Sequence, residues 1–329
     1  MGLEPTPAPW KRPTSPGREL ELSPFVMRRI AIAALMTMLV PLPLLSPQRL
    51  SAAQEPSFKA GVELVTVFAV VRDRRGRPAP SLTARDFNVV DEGRPRSIVE
   101  CRIEEGPITV AILADVSGSM AVSARLSAVR DATRQLLSWL VDGEDQVALF
   151  SFDDRLHQVQ AFTTAHADVS SRLDSLKAFG STSLYDAIWQ VGTELAAQTG
   201  MRSAVIAITD GQDTRSRLSA RETAQVVRLV DVPVYFIAID PVRGSSSESG
   251  EQPLLDLAQA TGGEYFAAGG PAQTSMAVRQ IVSELRHRYL IAFEPSAPAG
   301  WHSLAVRTVD QDLVVRARSG YLAGLPRQH

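Results

Sequence analysis

Cysteine is almost missing from this chain: Cys101 is the single one in 329 residues. No intrachain disulfide can form, and a thiolate zinc cage cannot be built. Cys101 is expected to serve as a small apolar residue at a strand end. An excess of one charge sign is missing too. Lys and Arg number 34 against 36 Asp and Glu, for a formal net charge of -2. No global basic field therefore draws nucleic acid or an anionic membrane, and no Lys/Arg cluster is interleaved with aromatics. The histidines His157, His166, His287, His302 and His329 include no i, i+4 pair, which argues against a histidine metal site. Surface or strand-edge positions are expected for all five. Ser117 has Asp115 and Ser119 where a nucleophile elbow needs glycines. An aspartyl phosphatase would want a second acid two residues after Asp115, where Ser117 stands, and a downstream lysine, for which Lys177 is the last in the chain.

A long uninterrupted apolar run is also absent. Ile30 to Leu45 is broken by Pro41 and Pro43 and falls short of the ~20 residues of a membrane helix. Arg28-Arg29 precedes it and Ser51-Ala52-Ala53 follows, the three-part pattern of a secretion signal. Residues 1–53 are thus read as an N-terminal extension and signal peptide, with cleavage near Ala53 and translation starting at Met1 or Met27. The expected location is periplasmic or secreted, with no stable membrane span after cleavage; an uncleaved anchor is the alternative.

What is present fits a folded α/β protein, with 45% hydrophobic and 21% charged residues. Residues 58–105 read as short strands separated by turns: Val62 to Val71, Asp86 to Gly93 and Ser97 to Ile103. Residues 106–288 alternate strand and helix, which implies a parallel sheet covered on both faces. Ile108–Ala114, Gln146–Phe152, Ser203–Thr209 and Val234–Ile239 are the buried strands. Leu156 to Phe162 follows a short turn and is expected to be an antiparallel edge strand. Helices are expected over Arg125 to Leu140, Leu184 to Gln198, Arg221 to Val230, Leu254 to Ala260 and Gln273 to His287. The Ser/Gly-rich stretch within Pro241 to Gln252 reads as a loop. Residues 289–325 are strand-like again. Each flank is too small for its own core, so the two are expected to pair in one β-sandwich. The fold class is α/β: a Rossmann-like, doubly wound, mostly parallel sheet with flanking β-sandwich-like segments.

In such a sheet ligands bind beyond the carboxyl ends of strands, where strand order reverses. Asp115 and Asp210 each end a buried strand. Ser117 and Ser119 place hydroxyls on the turn after Asp115, and Thr182 lies in a small-residue loop entering a helix. Carboxylates with hydroxyls suit a hard divalent cation that keeps positions open for water or a partner's oxygen. The set Asp115-x-Ser117-x-Ser119, Thr182 and Thr209-Asp210-Gly211 resembles the metal-ion-dependent adhesion site (MIDAS) of the von Willebrand factor type A (VWA) domain family, over roughly 108–288. Ser181 stands where the family often has a second glycine. Leu82 to Phe87, Asp91-Glu92-Gly93 and Val315 to Tyr321 resemble a bacterial subgroup, the VWFA-related domain proteins abundant in Acidobacteria.

The resemblance implies a non-enzymatic adhesion-type module in which Asp115, Ser117, Ser119, Thr182 and Asp210 hold Mg2+, or Mn2+, and the cation meets an Asp or Glu carboxylate of a protein partner. The alternatives are a structural envelope-assembly protein whose metal steadies the loops, and a hydrolase, for which no base stands out. No nucleic-acid partner is expected.

Overall fold

The computed structural model describes residues 64–324 except 80, 198–201, 228, 230, 242–250 and 297–298. The signal peptide, its cleavage near Ala53, the start at Met27 and Gly244 to Gly250 lie outside the described residues.

Four strands come first: β1 (Val65–Asp73), β2 (Phe87–Asp91), β3 (Arg94–Arg96) and β4 (Ile98–Ile103). β1 alternates, burying Val65, Val67, Ala69 and Val71 on one face, as expected of a strand with one wet side. Then comes the alternating region: β5 (Ile108–Asp115), α1 (Arg125–Trp139), β6 (Gln146–Phe152), β7 (Leu156–Thr163), α2 (His166–Leu173), α3 (Leu184–Ala196), β8 (Arg202–Thr209), α4 (Ala220–Val227), β9 (Val234–Ile239), α5 (Glu251–Thr261), β10 (Tyr265–Ala268) and α6 (Pro271–Arg286). β11 (Arg288–Phe293), β12 (Gly300–Thr308), β13 (Leu313–Ala317) and β14 (Gly320–Ala323) close the described chain.

The alternating region forms one six-stranded sheet, ordered β10-β9-β8-β5-β6-β7. All its pairings are parallel except the β6–β7 hairpin. β5 and β8 are buried along their whole length, because helices cover both faces. α1 and α6 pack on one side, with Val129, Leu136, Val278 and Ile281 in that core. α3, α4 and α5 pack on the other, with Ile188, Val191, Val227 and Leu257.

Strands from the two flanks share two antiparallel sheets, β13-β1-β11-β4 and β14-β12-β2-β3. β1 runs beside β11 with Val67 opposite Ile291, and β12 beside β2 with Val306 opposite Val89. The sheets enclose a common core containing Val67, Phe87, Ile291, Phe293, Leu304 and Tyr321. Edge-on ring pairs join them, Phe87 with Tyr289 at 5.3 Å and Phe293 with Tyr321 at 5.8 Å between centroids.

Several local expectations are corrected. Cys101 sits within β4 rather than at its end, and burial pushes its thiol up. His166 and His302 are buried, not superficial. His166 meets the Asp145 carbonyl at 3.0 Å through Nε2, and His302 Nδ1 lies 2.9 Å from Asp91 Oδ1. Helix α2 and the short strands β3 and β14 add to the expected elements.

The described residues cluster as one compact unit, and an ion network links the sandwich to the alternating region. Arg72 of β1 bonds Glu264 at 2.6 and 2.8 Å and Glu284 of α6 at 3.0 Å. Arg316 of β13 pairs with the same two acids and donates to the Gly263 carbonyl at 2.7 Å. Gln280 also donates to Glu284, at 2.9 Å.

A second polar cluster lies inside the sandwich. Asp91, fully buried, accepts the Ser296 hydroxyl at 2.5 Å and the Ser296 amide at 2.8 Å. Arg96 Nε stands 3.4 Å away. Burial alone would raise the Asp91 carboxyl, but hydrogen bonds from Ser296, His302 and Tyr321 outweigh it and hold it below its ordinary value. A depressed carboxyl stabilises the fold above its unfolded pKa, and this contribution fades as pH falls through the folded value. Asp91→Asn is therefore expected to cost about 1–3 kcal/mol at neutral pH. In melts taken from neutral to acid pH, the gap to wild type should shrink below about pH 4. A constant gap across that range would refute the assignment.

Candidate functional site

β5 and β8 are adjacent and parallel, with Ala114 opposite Ile208. Later strands add to β5 on one side through β6 and on the other through β8, so strand order reverses at this pair. Their carboxyl ends carry Asp115 and Thr209-Asp210. The crevice outside that edge is where open α/β sheets bind ligands.

Asp115 has no exposed surface. Its Oδ1 accepts the Ser117 amide at 2.9 Å and its Oδ2 accepts the Thr209 hydroxyl at 2.6 Å. Burial pushes its carboxyl up to about 6, with the nearby charge of Asp210 adding to the rise and hydrogen bonds from Thr209 and Ser117 opposing it. Ser117 opens a short 3-10 turn, Gly118–Ala121, and its hydroxyl lies 3.0 Å from that of Ser119. The Gly118 amide donates to the Gly180 carbonyl at 2.9 Å. A Cβ on Gly118 would stand 3.0 Å from that oxygen, tight enough to push the two loops apart. Gly180 itself has φ +82, a left-handed backbone that glycine adopts without strain.

Thr182 lies two residues on and is buried. Its amide donates to the Thr214 hydroxyl at 3.0 Å, and its carbonyl accepts the amides of Thr214 and Arg215, both at 2.9 Å. Its own hydroxyl has no hydrogen-bond partner among the described residues. Asp210 Oδ1 accepts the Gln212 amide at 3.2 Å. The structure thus gathers Asp115, Ser117, Ser119 and Asp210 at one edge and joins the Thr182 loop to them through Gly118 and Gly180.

Three participants were not foreseen from sequence. Thr209 orients Asp115. Arg125, the first residue of α1, reaches Asp210 Oδ2 at 3.1 Å. Asp240 stands 3.6 Å from the same guanidinium, which also approaches the Asp240 carbonyl at 3.4 Å and the Ser119 carbonyl at 3.5 Å. Arg125 Nε is buried without a partner. Thr209 was visible within Thr209-Asp210-Gly211; the Arg125 contact spans 85 positions and leaves no local pattern.

Among the described residues no three His, Cys, Asp or Glu side chains gather as a metal cluster. The donors here are two carboxylates and three hydroxyls, all hard oxygens of the type Mg2+ takes. Asp115 has no cationic side chain of its own, and the Thr182 hydroxyl is unspent. On both counts the residues fit a small divalent cation.

Residues 110–212 match the family model described as von Willebrand factor type A domain. The chain contains a VWA domain. No curated protein matches the sequence. Among solved structures, the chain is similar to the conserved hypothetical protein BatB from Bacteroides thetaiotaomicron, with 20% identity over 54% of this chain and 98% of that one, at a TM-score of 0.46. It is similar to a von Willebrand factor type A protein from Catenulispora acidiphila, with 14% identity over 81% of this chain and 76% of that one, at a TM-score of 0.47. It is also similar to the PilB minor pilin from Streptococcus sanguinis, with 15% identity over 56% and 62% of the two chains, at a TM-score of 0.43. Among the described residues no helix is long and apolar enough to cross a membrane.

Proposed function

We propose that this chain is an exported protein-binding module of the adhesion type, without catalytic activity. Asp115, Ser117, Ser119, Thr182 and Asp210 would hold Mg2+, or Mn2+, and the bound cation would supply positive charge for one Asp or Glu carboxylate of a protein partner. The observation that carries the reading is the buried Asp115 carboxylate, near the charge of Asp210 and bonded by Thr209 and Ser117, with no cationic side chain of its own. A charge in that position is costly unless a cation compensates it.

Two features favour binding over the alternatives. The loops are already tied by protein hydrogen bonds, Gly118 to Gly180 and Thr182 to Thr214, so a cation is not needed to give them shape. No histidine bonds the hydroxyl of Ser117, Ser119 or Thr182 among the described residues, so a hydrolase would lack its usual base. Periplasmic or extracellular placement follows from the secretion-signal pattern of residues 28–53.

The test is a pull-down of envelope proteins by the full chain with Mg2+ or with chelator, beside Asp115→Ala. A partner retained only with Mg2+ and only by wild type supports the reading. Retention indifferent to both overturns it.

Arg125 adds a second expectation, because its guanidinium occupies Asp210 and must yield oxygen to an arriving cation. Arg125→Gln is expected to tighten Mg2+ binding by about threefold or more, because the cation no longer has to displace a largely buried ion pair. Calorimetric titration of the variant beside wild type checks this. Weaker binding by the variant would mean that Arg125 organises the site rather than competing for it.

A further inference from the structure

Beside the Thr182 loop lies a groove of about 820 Å³ that the adhesion-type reading does not use. It runs between the start of β7, the outer face of α3 and the segment 215–218. Its volume falls within the ~300–1,000 Å³ of ordinary ligand clefts. We propose that it receives an extended acidic segment of the partner protein, which sets partner choice. The proposal rests on the cation reading only for the anchoring carboxylate; the groove's own contacts stand apart from it.

Charge makes the first argument. Arg155, Arg215 and Arg217 line the groove. The Arg155 side chain is 79% exposed, and its guanidinium pairs only with Asp154 among the described residues, at 4.0 Å. The exposed side chains of Arg215 and Arg217 have no ion-pair or hydrogen-bond partner among the described residues. Two carboxylates share the walls, Asp154 and Asp186. Asp186 is already committed, accepting the amides of Arg217 and Leu218 at 3.1 to 3.2 Å. The groove thus offers guanidinium forks and little to satisfy them. Such forks match carboxylates in a bidentate manner.

Side-chain type makes the second. Trp189 is 39% exposed on the wall, and Leu156 and Leu218 lie beside the arginines. Exposed tryptophan with arginine is the composition of protein-interface hot spots. Apolar side chains set among the guanidiniums suit a peptide in which acidic and apolar residues alternate.

Continuity makes the third. Arg215 donates its amide to the carbonyl of Thr182, and Ser183, the next residue, lines the groove. A partner segment that places one carboxylate at Thr182 and the two aspartates can continue directly over Arg215 and Arg217.

Fluorescence anisotropy with the full chain and a labelled peptide, Asp-Glu-Leu-Glu-Leu-Glu, tests this, with Mg2+ and with chelator. Saturable binding is expected. Arg215→Glu with Arg217→Glu should weaken it by about tenfold or more, and Trp189→Ala should weaken it as well. Because these side chains are exposed, unchanged melting of the variants will show that they fold. Absent binding, or binding indifferent to the charge reversal, overturns the proposal. A sulfated polysaccharide fragment that binds more tightly than the peptide through the same arginines also overturns it. If arginine dependence persists while Mg2+ and chelator give identical affinities, the cation reading fails and the groove assignment stands.

Discussion

Calorimetric titration of Mg2+ into the full chain is expected to show one site, and Asp115→Ala with Asp210→Ala is expected to abolish the signal, a loss of about 100-fold or more. Loss of a residue that merely supports a metal ligand costs 10–100-fold, and here both anionic donors go. Asp115→Asn separates charge from shape. It keeps an oxygen for the Ser117 amide and turns its NH2 toward Thr209, whose hydroxyl now bonds the carboxylate at 2.6 Å. In chelator this variant should melt as high as wild type or higher, because a buried charge with no cation has been removed. In Mg2+ it should lose the metal-induced stabilisation that binding to the folded state gives. Titration of wild type without heat at several temperatures, and without any shift in melting, would reduce the Asp115 turn to a capped strand end.

Glu284→Ala is expected to be the most destabilising single change in the linking network. The carboxylate is 2% exposed and holds Arg72 of β1 and Arg316 of β13. Its removal leaves two guanidiniums, 19% and 15% exposed, with Glu264 as the one carboxylate still paired to both. Breaking a buried ion pair from one side costs about 3–5 kcal/mol. At about 2–4 °C per kcal/mol for a unit of this size, the melting temperature should fall by about 10 °C. Arg74→Ala is the contrast: its bond to Asp312 is 2.8 Å long, but the partners are 72% and 74% exposed, and such pairs contribute at most about 1 kcal/mol. Equal losses for the two variants would show that Glu284 is not a clamp.

The parts legible in the sequence are those whose signal is local. β5, β6, β8 and β9 announce themselves as unbroken apolar runs because both faces of each are covered. α1 and α3 show apolar residues at helical spacing, and their observed faces, Val129 with Leu136 and Ile188 with Val191, are those expected. Asp115 and Asp210 could be placed on one edge because each ends such a run. Contacts made by the topology left no trace. Arg125 meets Asp210 across 85 positions, and His302 meets Asp91 across 211; neither residue stands in a pattern of its own. Helix α2 has eight residues and β14 has four, too few for periodicity to rise above composition. The groove was equally invisible, since Trp189 comes from α3 while Arg155 and Arg217 come from two separate loops.

The interleaving of β1 with β11 and β13 has a consequence for the order in which the protein is made. Synthesis releases β1 to β4 first, but β1 and β4 find their sheet partners only in β11 and β13, and the β2–β3 pair meets β12 equally late. The six-stranded sheet, with its sequence-local helices, can close before the sandwich can. Until β11 to β14 arrive, the alternating apolar face of β1 has no sheet to lie in, and its edges are open to any other strand. Nascent chains are thus most exposed to misassociation while the six-stranded sheet is already built, and the arrival of β11 to β14 is the event that ends that exposure.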